Sequence, residues 1–298
     1  MNSEPSTRIL LTGGQGKTSS RISQLLINQG YLIRSAGRSA PKMDNALADH
    51  VNFDWYDDST HEAALQGISA IYLVAPPDMH PEEFMIPFIR KALDASIRRF
   101  VLLSSASVSE HGPVFGPIHQ YLQKHAPEWA VLRPSYFMQN FTEGGHGHTI
   151  RQQGQVFNAT SDGKVGFVDA EDISAVGFHA LTDKVPHNRE HIITGPQSLN
   201  YAEAAVLIHK VTGLTVKHLS ITEDQLVHAL IAAGVPAPYA ALLAGLDNRI
   251  RLEGSEDQVT DTVWRVTGRA PRSLEDFIQA NKTWFQSAQQ PVPGLSKS

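Results

Sequence analysis

Near its N-terminus the chain reads LTGGQGKTSS, residues 11–20, a run of glycines, hydroxyls and one lysine suited to holding phosphate. Two chemistries compete for it. A P-loop needs a further glycine five positions before the glycine that precedes the lysine. That position is Leu11 here. The spacing Gly13-x-x-Gly16-x-x-Ser19 instead follows the turn between the first strand and first helix of dinucleotide-binding folds, with serine where a third glycine is usual. Serine is small enough for a helix to pack closely on a strand. In such a turn Gly13 and Gly16 leave the backbone open to a pyrophosphate, and the following helix offers unpaired N–H groups at its positive end. Thr12, Gly13, Gly14, Gly16, Lys17 and Thr18 are the candidate cofactor-binding residues of the turn.

About twenty residues further on, enzymes of NAD place an acid that binds both ribose hydroxyls, whereas enzymes of NADP place a basic residue beside the 2′-phosphate. The sequence there is RSAGRSA. Arg38 with Ser39 beside it is the candidate phosphate contact, Arg34 is a second basic candidate, and no acid is present. The expected cofactor is therefore NADP(H).

The proton-transfer machinery of a ketone reductase is harder to find. A carbonyl that accepts hydride becomes an alkoxide and needs a proton, which a serine and a Tyr-x-x-x-Lys pair ordinarily supply. In GPIHQYLQKH the nearest tyrosine and lysine, Tyr121 and Lys124, are three apart, a spacing that still shares a helical face. Tyr121 is either an acid with shifted support or a helix residue packed on the sheet. An iminium electrophile would need no acid, because hydride converts the cation to a neutral amine. Its site would need a shaped pocket and aromatic faces that tolerate positive charge. Tyr136, Phe137 and Met138 are candidates for that substrate wall, or else core residues at a strand end, and Tyr136 is the first to test. His146 and His148 in GGHGH fall short of a zinc signature, so no metal is assigned and a mobile lid is expected there. Asp169, Glu171 and Asp172 read as acids at a helix start.

These residues need an α/β frame. Short strand-like runs at 8–12, 31–36, 50–55, 70–75, 98–105 and 129–134 alternate with amphipathic stretches, which predicts a parallel sheet with helices on both faces. The runs RILLT, AIYLVA and RRFVLLSS have few polar residues, as burial on both faces demands. Ile22, Leu25 and Leu26 share one face of a helix that ends at Gly30, and Pro81 with two acids opens another. Beyond residue 143 the pattern becomes α+β, with strands at 155–159, 164–169 and 191–195 and a helix at 170–182. The expected architecture is a Rossmann-type doubly wound parallel sheet with a smaller α+β C-terminal substrate-binding part. The expected boundaries are 1–143 for the NADP-binding core and 144–288 for the mainly substrate-binding part. Within the latter, 155–195 returns a strand and a helix to the core, and 289–298 is a disordered tail.

Composition narrows the class. With 298 residues, 41% apolar content and a formal charge of −5, the chain reads as an ordinary globular protein without the basic face of a nucleic-acid binder. There is no cysteine, hence no disulfide and no thiolate chemistry. The N-terminus lacks a basic segment followed by an apolar one, so a cytoplasmic protein is expected. The apolar stretch 226–245 is long enough to suggest a membrane span, but Gly234, Pro236 and Pro238 predict two separate helices. A small-molecule substrate is expected, with no nucleic-acid or membrane partner and a homodimer as an option.

TGGQGKTS, FDWYD, AIYLVAPP, RRFVLLSSASV, WAVLRPSYFMQNF and VGFVDAEDISAVGFHALTD together resemble the NmrA-like branch of atypical short-chain dehydrogenases, over about residues 8–220. Within that branch the wording is most similar to the festuclavine and agroclavine dehydrogenase group of ergot-alkaloid enzymes. The resemblance implies a Rossmann core, NADP(H), and a cleft made with the C-terminal half. It further implies Asp54 near the adenine, Ala75 and Pro76 along the cofactor, and Ser104 with Ser105 near the nicotinamide end. Ser105, Tyr121 and Tyr136 are thus the candidate catalytic residues. The activity it implies is NADPH-dependent hydride transfer to an imine, iminium or similar conjugated electrophile in alkaloid-like secondary metabolism. A non-catalytic NADP-sensing regulatory protein and a quinone reductase of the same branch are the alternatives.

Overall fold

Strands that bury consecutive residues belong at the centre of a sheet covered on both faces, and the first strand buries Ile9, Leu10 and Leu11 in succession. The computed structural model describes residues 8–40 and 45–287. Its strands, in chain order, are β1 (Arg8–Leu11), β2 (Leu32–Gly37), β3 (Ala48–Asn52), β4 (Ile68–Val74), β5 (Arg99–Leu103), β6 (Glu128–Pro134), β7 (Gln155–Asn158), β8 (Arg189–Ile193) and β9 (Lys217–Ser220). The helices of the first half are α1 (Ser19–Asn28), α2 (His61–Leu65), α3 (Glu82–Asp94), α4 (Gly116–His125), α5 (Gly145–Gln153) and α6 (Ala170–Thr182). Those of the second are α7 (Tyr201–Thr212), α8 (Glu223–Ala232), α9 (Ala237–Glu253), α10 (Thr262–Thr267), α11 (Leu274–Ala280) and α12 (Lys282–Ser287).

The chain divides into two compact units. One holds the described residues up to Pro134 with Ala170–Ile193 and Thr262–Arg269; the other holds Ser135–Asp169, Thr194–Asp261 and the described residues from Ala270 onward. In the first, seven parallel strands run in the order β3-β2-β1-β4-β5-β6-β8. The order reverses between β1 and β4, the place where open α/β sheets form a ligand crevice. Leu10, Ile71, Leu73, Phe100 and Leu102 meet Met85 and Phe88 of α3 and Ile118 and Leu122 of α4 in one core. On the other face α6 lies against α1, and Gly177 lets it close up: a Cβ there would stand 2.9 Å from Cδ1 of Ile22. The doubly wound sheet is thus as expected.

The second unit pairs β7 with β9 in a small parallel sheet. Its core gathers Phe141, Val156, Phe167, Tyr201, Ile208 and Phe277. Capping boxes start three of its helices: Asn200 with Glu203, Thr222 with Gln225 and Ser273 with Asp276. The apolar stretch 226–245 is divided between α8 and α9, and no helix among the described residues is long and apolar enough to cross a membrane.

Three local expectations change. Residues 164–169 form no ladder strand, only single bridges from Val165 to Leu199 and from Val168 to Phe137. Their backbone bonds are divided among separate segments: the N–H of Val165 donates to the Leu199 carbonyl at 2.9 Å, that of Gly166 to the Glu256 carbonyl at 3.1 Å and that of Val168 to the Tyr136 carbonyl at 3.0 Å. GGHGH enters helix α5 rather than a mobile lid, and Gly147 serves close packing, its Cβ position lying 2.5 Å from the Thr142 carbonyl oxygen. The third strand ends at Asn52, after which Phe53 and Trp55 turn inward against Phe88. The tail 289–298 lies outside the described residues.

Two buried histidines set the acid response of the fold. Burial, reinforced by the charges of His187, Arg189 and Arg265, pulls His191 down to about 3. His146, between Phe141 and Tyr201, is held at about 4 by burial and then by His218. Both rings stay neutral in the fold, whereas in the unfolded chain they take up protons near pH 6.5. Their contribution is therefore complete above about pH 6.5 and is lost as pH falls toward 4 and 3, costing on the order of 2 kcal/mol each by pH 5. Asp247, raised by burial to about 6, works in the opposite sense with a smaller effect. Denaturant titrations should show stability falling from pH 7 to pH 5; a flat profile would contradict this.

Candidate functional site

The C-terminal ends of β1, β2, β3 and β4 open into a cleft of about 470 Å³ within the first unit. The turn after β1 forms its floor. Gly13 and Gly14 adopt φ of 77° and 49°, a left-handed backbone that costs a side-chain-bearing residue roughly 1–2 kcal/mol. A Cβ on Gly13 would lie 2.9 Å from Cβ of Val74. The turn closes where the N–H of Gly16 donates to the Gly13 carbonyl at 2.9 Å.

Hydroxyl groups behind the turn hold it in place. Thr12 Oγ1 donates to the Tyr72 carbonyl at 3.0 Å and accepts from the Val74 N–H at 2.7 Å, tying the end of β1 to β4. Ser19 Oγ donates to the Thr12 carbonyl at 2.8 Å, and the Tyr72 hydroxyl donates to Thr18 Oγ1 at 3.0 Å. Serine at the third-glycine position thus adds a latch to close packing. The side chains of Thr12 and Thr18 are buried in this scaffold, while Gly16 and Lys17 lie at the head of α1 and do not line the cleft.

Arg38 and Ser39, exposed beyond β2, form one wall. Arg34 does not join them. Its guanidinium donates twice to Asp49, at 2.9 and 3.0 Å, and to the carbonyls of Ala63 and Gln66, which makes it a brace between β2, β3 and α2. Burial pushes the Asp49 carboxyl up, but Arg34, with Arg8, outweighs it and holds the group below its ordinary value. Asp54 reaches the cleft from the end of β3, its Oδ1 accepting the Tyr56 N–H at 3.0 Å. Ala75 and Pro76 follow β4 and make an apolar wall.

Beside Asp54, the aromatic residues Trp55 and Tyr56 of FDWYD also line the cleft. Trp55 Nε1 donates to the Val74 carbonyl at 3.1 Å, and the Tyr56 hydroxyl donates to Asp78 at 3.1 Å. An aromatic pair directly after an inward-turning strand end was the available signal. Ser104 and Ser105 lie past the end of β5, away from this cleft's lining. Arg133, buried on β6, holds their segment by donating to the carbonyls of Ser105 and Ala106, at 3.4 and 2.8 Å, while it grips Glu190 with two bonds of 2.8 and 2.9 Å. Tyr121 packs against the core with its ring 4.4 Å from that of His125.

In the second unit the Tyr136 hydroxyl donates to Asp247 at 3.2 Å, and burial, then Asp247, push the phenol well above its ordinary range. Phe137 is half-buried, and Met138 is a core residue, 1% exposed. The acids of VDAEDIS are ion-paired: Asp169 with Arg272 at 3.0 Å, Glu171 with Arg21 at 2.9 Å and Asp172 with Arg269 at 3.1 Å. His146 packs tilted against Phe141 and edge-on to Tyr201. Among the described residues no group of three or more acidic, histidine or cysteine side chains could hold a metal ion.

A parallel sheet whose strand order reverses beside a left-handed glycine turn defines a Rossmann-type dinucleotide-binding unit. The chain matches the NmrA-like family model over residues 5–278 and belongs to that family. It is 45% identical over 280 residues to the uncharacterized oxidoreductase YesF of Bacillus subtilis (strain 168), covering 94% of this chain and 96% of that one. It is 35% identical over 283 residues to agroclavine dehydrogenase of Claviceps fusiformis, covering 92% and 97%. The fold resembles that of the Citrobacter sp. triphenylmethane reductase complexed with NADP(H), with a TM-score of 0.74 at 18% identity over 92% of this chain and 99% of the other.

Proposed function

We propose that this protein is an NADPH-dependent reductase that delivers hydride to an imine, iminium or similar conjugated electrophile in secondary metabolism. The observation that carries the cofactor assignment is the cleft itself: a glycine turn that a Cβ would fill, with Arg38 and Ser39, not a carboxylate, at the end of β2. NADPH, when bound, supplies the hydride. Gly13 and Gly14 let its pyrophosphate approach the backbone, Arg38 neutralises the 2′-phosphate, and Ala75 with Pro76 shields one side from water. The electrophile is inferred from what is missing. Tyr121 is packed beside His125 without a lysine four residues on, so the chain offers no ordinary donor for an alkoxide. A cation that becomes a neutral amine requires none. Relatives named as dehydrogenases, agroclavine dehydrogenase among them, support oxidoreductase chemistry of this kind.

The test is loss of NADPH absorbance with a panel of cyclic iminium salts, neutral enals, ketones and quinones. Iminium salts should turn over fastest, and Tyr136→Phe should reduce their turnover by less than about tenfold, since general acid catalysis is ordinarily worth 100-fold or more. A 100-fold loss in Tyr136→Phe would reassign that phenol as an obligatory proton donor. Binding of NADPH with no turnover across the panel would favour the non-catalytic sensor, and turnover of quinones alone would favour a quinone reductase.

A further inference from the structure

The second unit buries a carboxyl group that no cation among the described residues pairs with. Asp247 on α9 is 7% exposed, accepts from the Tyr136 hydroxyl at 3.2 Å and from the Ala159 N–H at 3.1 Å, and forms no ion pair among the described residues. A second acid, Glu256, is fully buried nearby and accepts from Ser135 Oγ at 2.7 Å. Tyr201 of α7 is 2% exposed, and its hydroxyl has no hydrogen-bond partner among the described residues. Burial, then the charges of Asp247 and Glu256, push the Tyr201 phenol well above its ordinary range. The Tyr201 ring itself packs among those of Phe167, His146 and Phe141, with centroids 5.1, 5.3 and 5.9 Å away.

Such an arrangement is costly for a purely structural cluster. A buried carboxylate without a counter-charge is destabilising, and the Tyr201 hydroxyl, although its residue is 2% exposed, is left with an unused hydrogen-bonding capacity. An organic cation relieves both, because its charge offsets the carboxylate, a polar hydrogen finds an oxygen acceptor, and its apolar ring meets the aromatic faces. We infer that Asp247, with Tyr136 and Tyr201, forms a recognition site for a compact organic cation, an ammonium or iminium nitrogen set in an apolar ring system. Burial raises Asp247 only to about 6, so near neutral pH the group is mostly ionised and presents a charge to be matched. In the sequence Asp247 is a lone acid in a helical stretch, which carries no local signal of burial. The inference deepens the proposed imine chemistry and rests on it for the identity of the cation.

The experiment compares binding of protonated N-methyltetrahydroisoquinoline with that of its neutral carbon isostere, methyltetralin, to the full chain with and without NADPH, by calorimetry. The ammonium should bind at least about tenfold more tightly, a difference of 1.4 kcal/mol. Asp247→Asn should erase that preference, lowering ammonium affinity about tenfold or more while leaving the isostere and NADPH unchanged. Tyr201→Phe, which removes only the unpartnered hydroxyl, should lower ammonium affinity by a smaller factor and provides the reading if Asp247→Asn melts early. Equal affinity for the two probes, or an unaltered preference in both variants, would overturn the inference. NADPH binding and turnover are read separately, so a protein that prefers the cation without reducing it sinks the proposed reaction and leaves this site standing.

Discussion

Gly13→Val is expected to lower NADPH affinity by at least about 100-fold, because two independent costs fall on one residue. Its φ of 77° is a left-handed conformation that a β-branched residue resists, and its first side-chain atom would sit 2.9 Å from Val74 Cβ, where the cleft floor meets β4. Either the turn reshapes or Val74 withdraws, and both would move the N–H groups proposed to meet the phosphates. Gly30→Ala is the control. Gly30 has φ of 80°, similar to Gly13, but nothing lies within 4 Å of its Cβ position. That variant should lose about 1 kcal/mol of stability and keep its cofactor affinity. Thermal melts and cofactor titration of the two variants separate backbone strain from the loss of the site.

Arg38→Asp should weaken NADPH about 100-fold while leaving NADH unchanged or slightly improved. The substitution exchanges an attraction for a repulsion at the 2′-phosphate and supplies an acceptor for ribose hydroxyls. Arg34→Met provides the contrast, since Arg34 is held by Asp49 and two carbonyls: it should destabilise the fold without altering the NADPH to NADH ratio. An equal loss of both cofactors in Arg38→Asp would show that Arg38 acts by shape or stability and not by reading phosphate. Fluorescence titration with each cofactor is sufficient for this comparison.

The sheet was legible because its information is local. Apolar runs in β1, β4 and β5 state burial on both faces, and the glycine spacing after β1 states the turn. The same logic separated α8 from α9, where two prolines interrupt an apolar run. What remained hidden depended on partners distant in sequence. Arg34 and Arg38 look alike in RSAGRSA, and only the return of β3 with Asp49 commits the first and leaves the second exposed at the cleft. GGHGH suggests mobility until the Thr142 carbonyl lies 2.5 Å from the Gly147 Cβ position. The strand β9, KHLS, carries almost no apolar alternation and is an exposed partner of β7, so periodicity could not mark it. Asp247 escaped notice for the same reason in reverse, since its burial comes from Tyr136 and the Ala159 segment, each more than eighty residues away.

The most direct test of the account is calorimetric titration of the unmodified protein with NADPH and, separately, with NADH. A glycine turn at the head of α1 and a guanidinium exposed at the cleft beyond β2 predict saturable binding of NADPH with one molecule per chain, at least about tenfold tighter than NADH. Absence of measurable heat or saturation with both cofactors, in a sample that melts cooperatively, would contradict it.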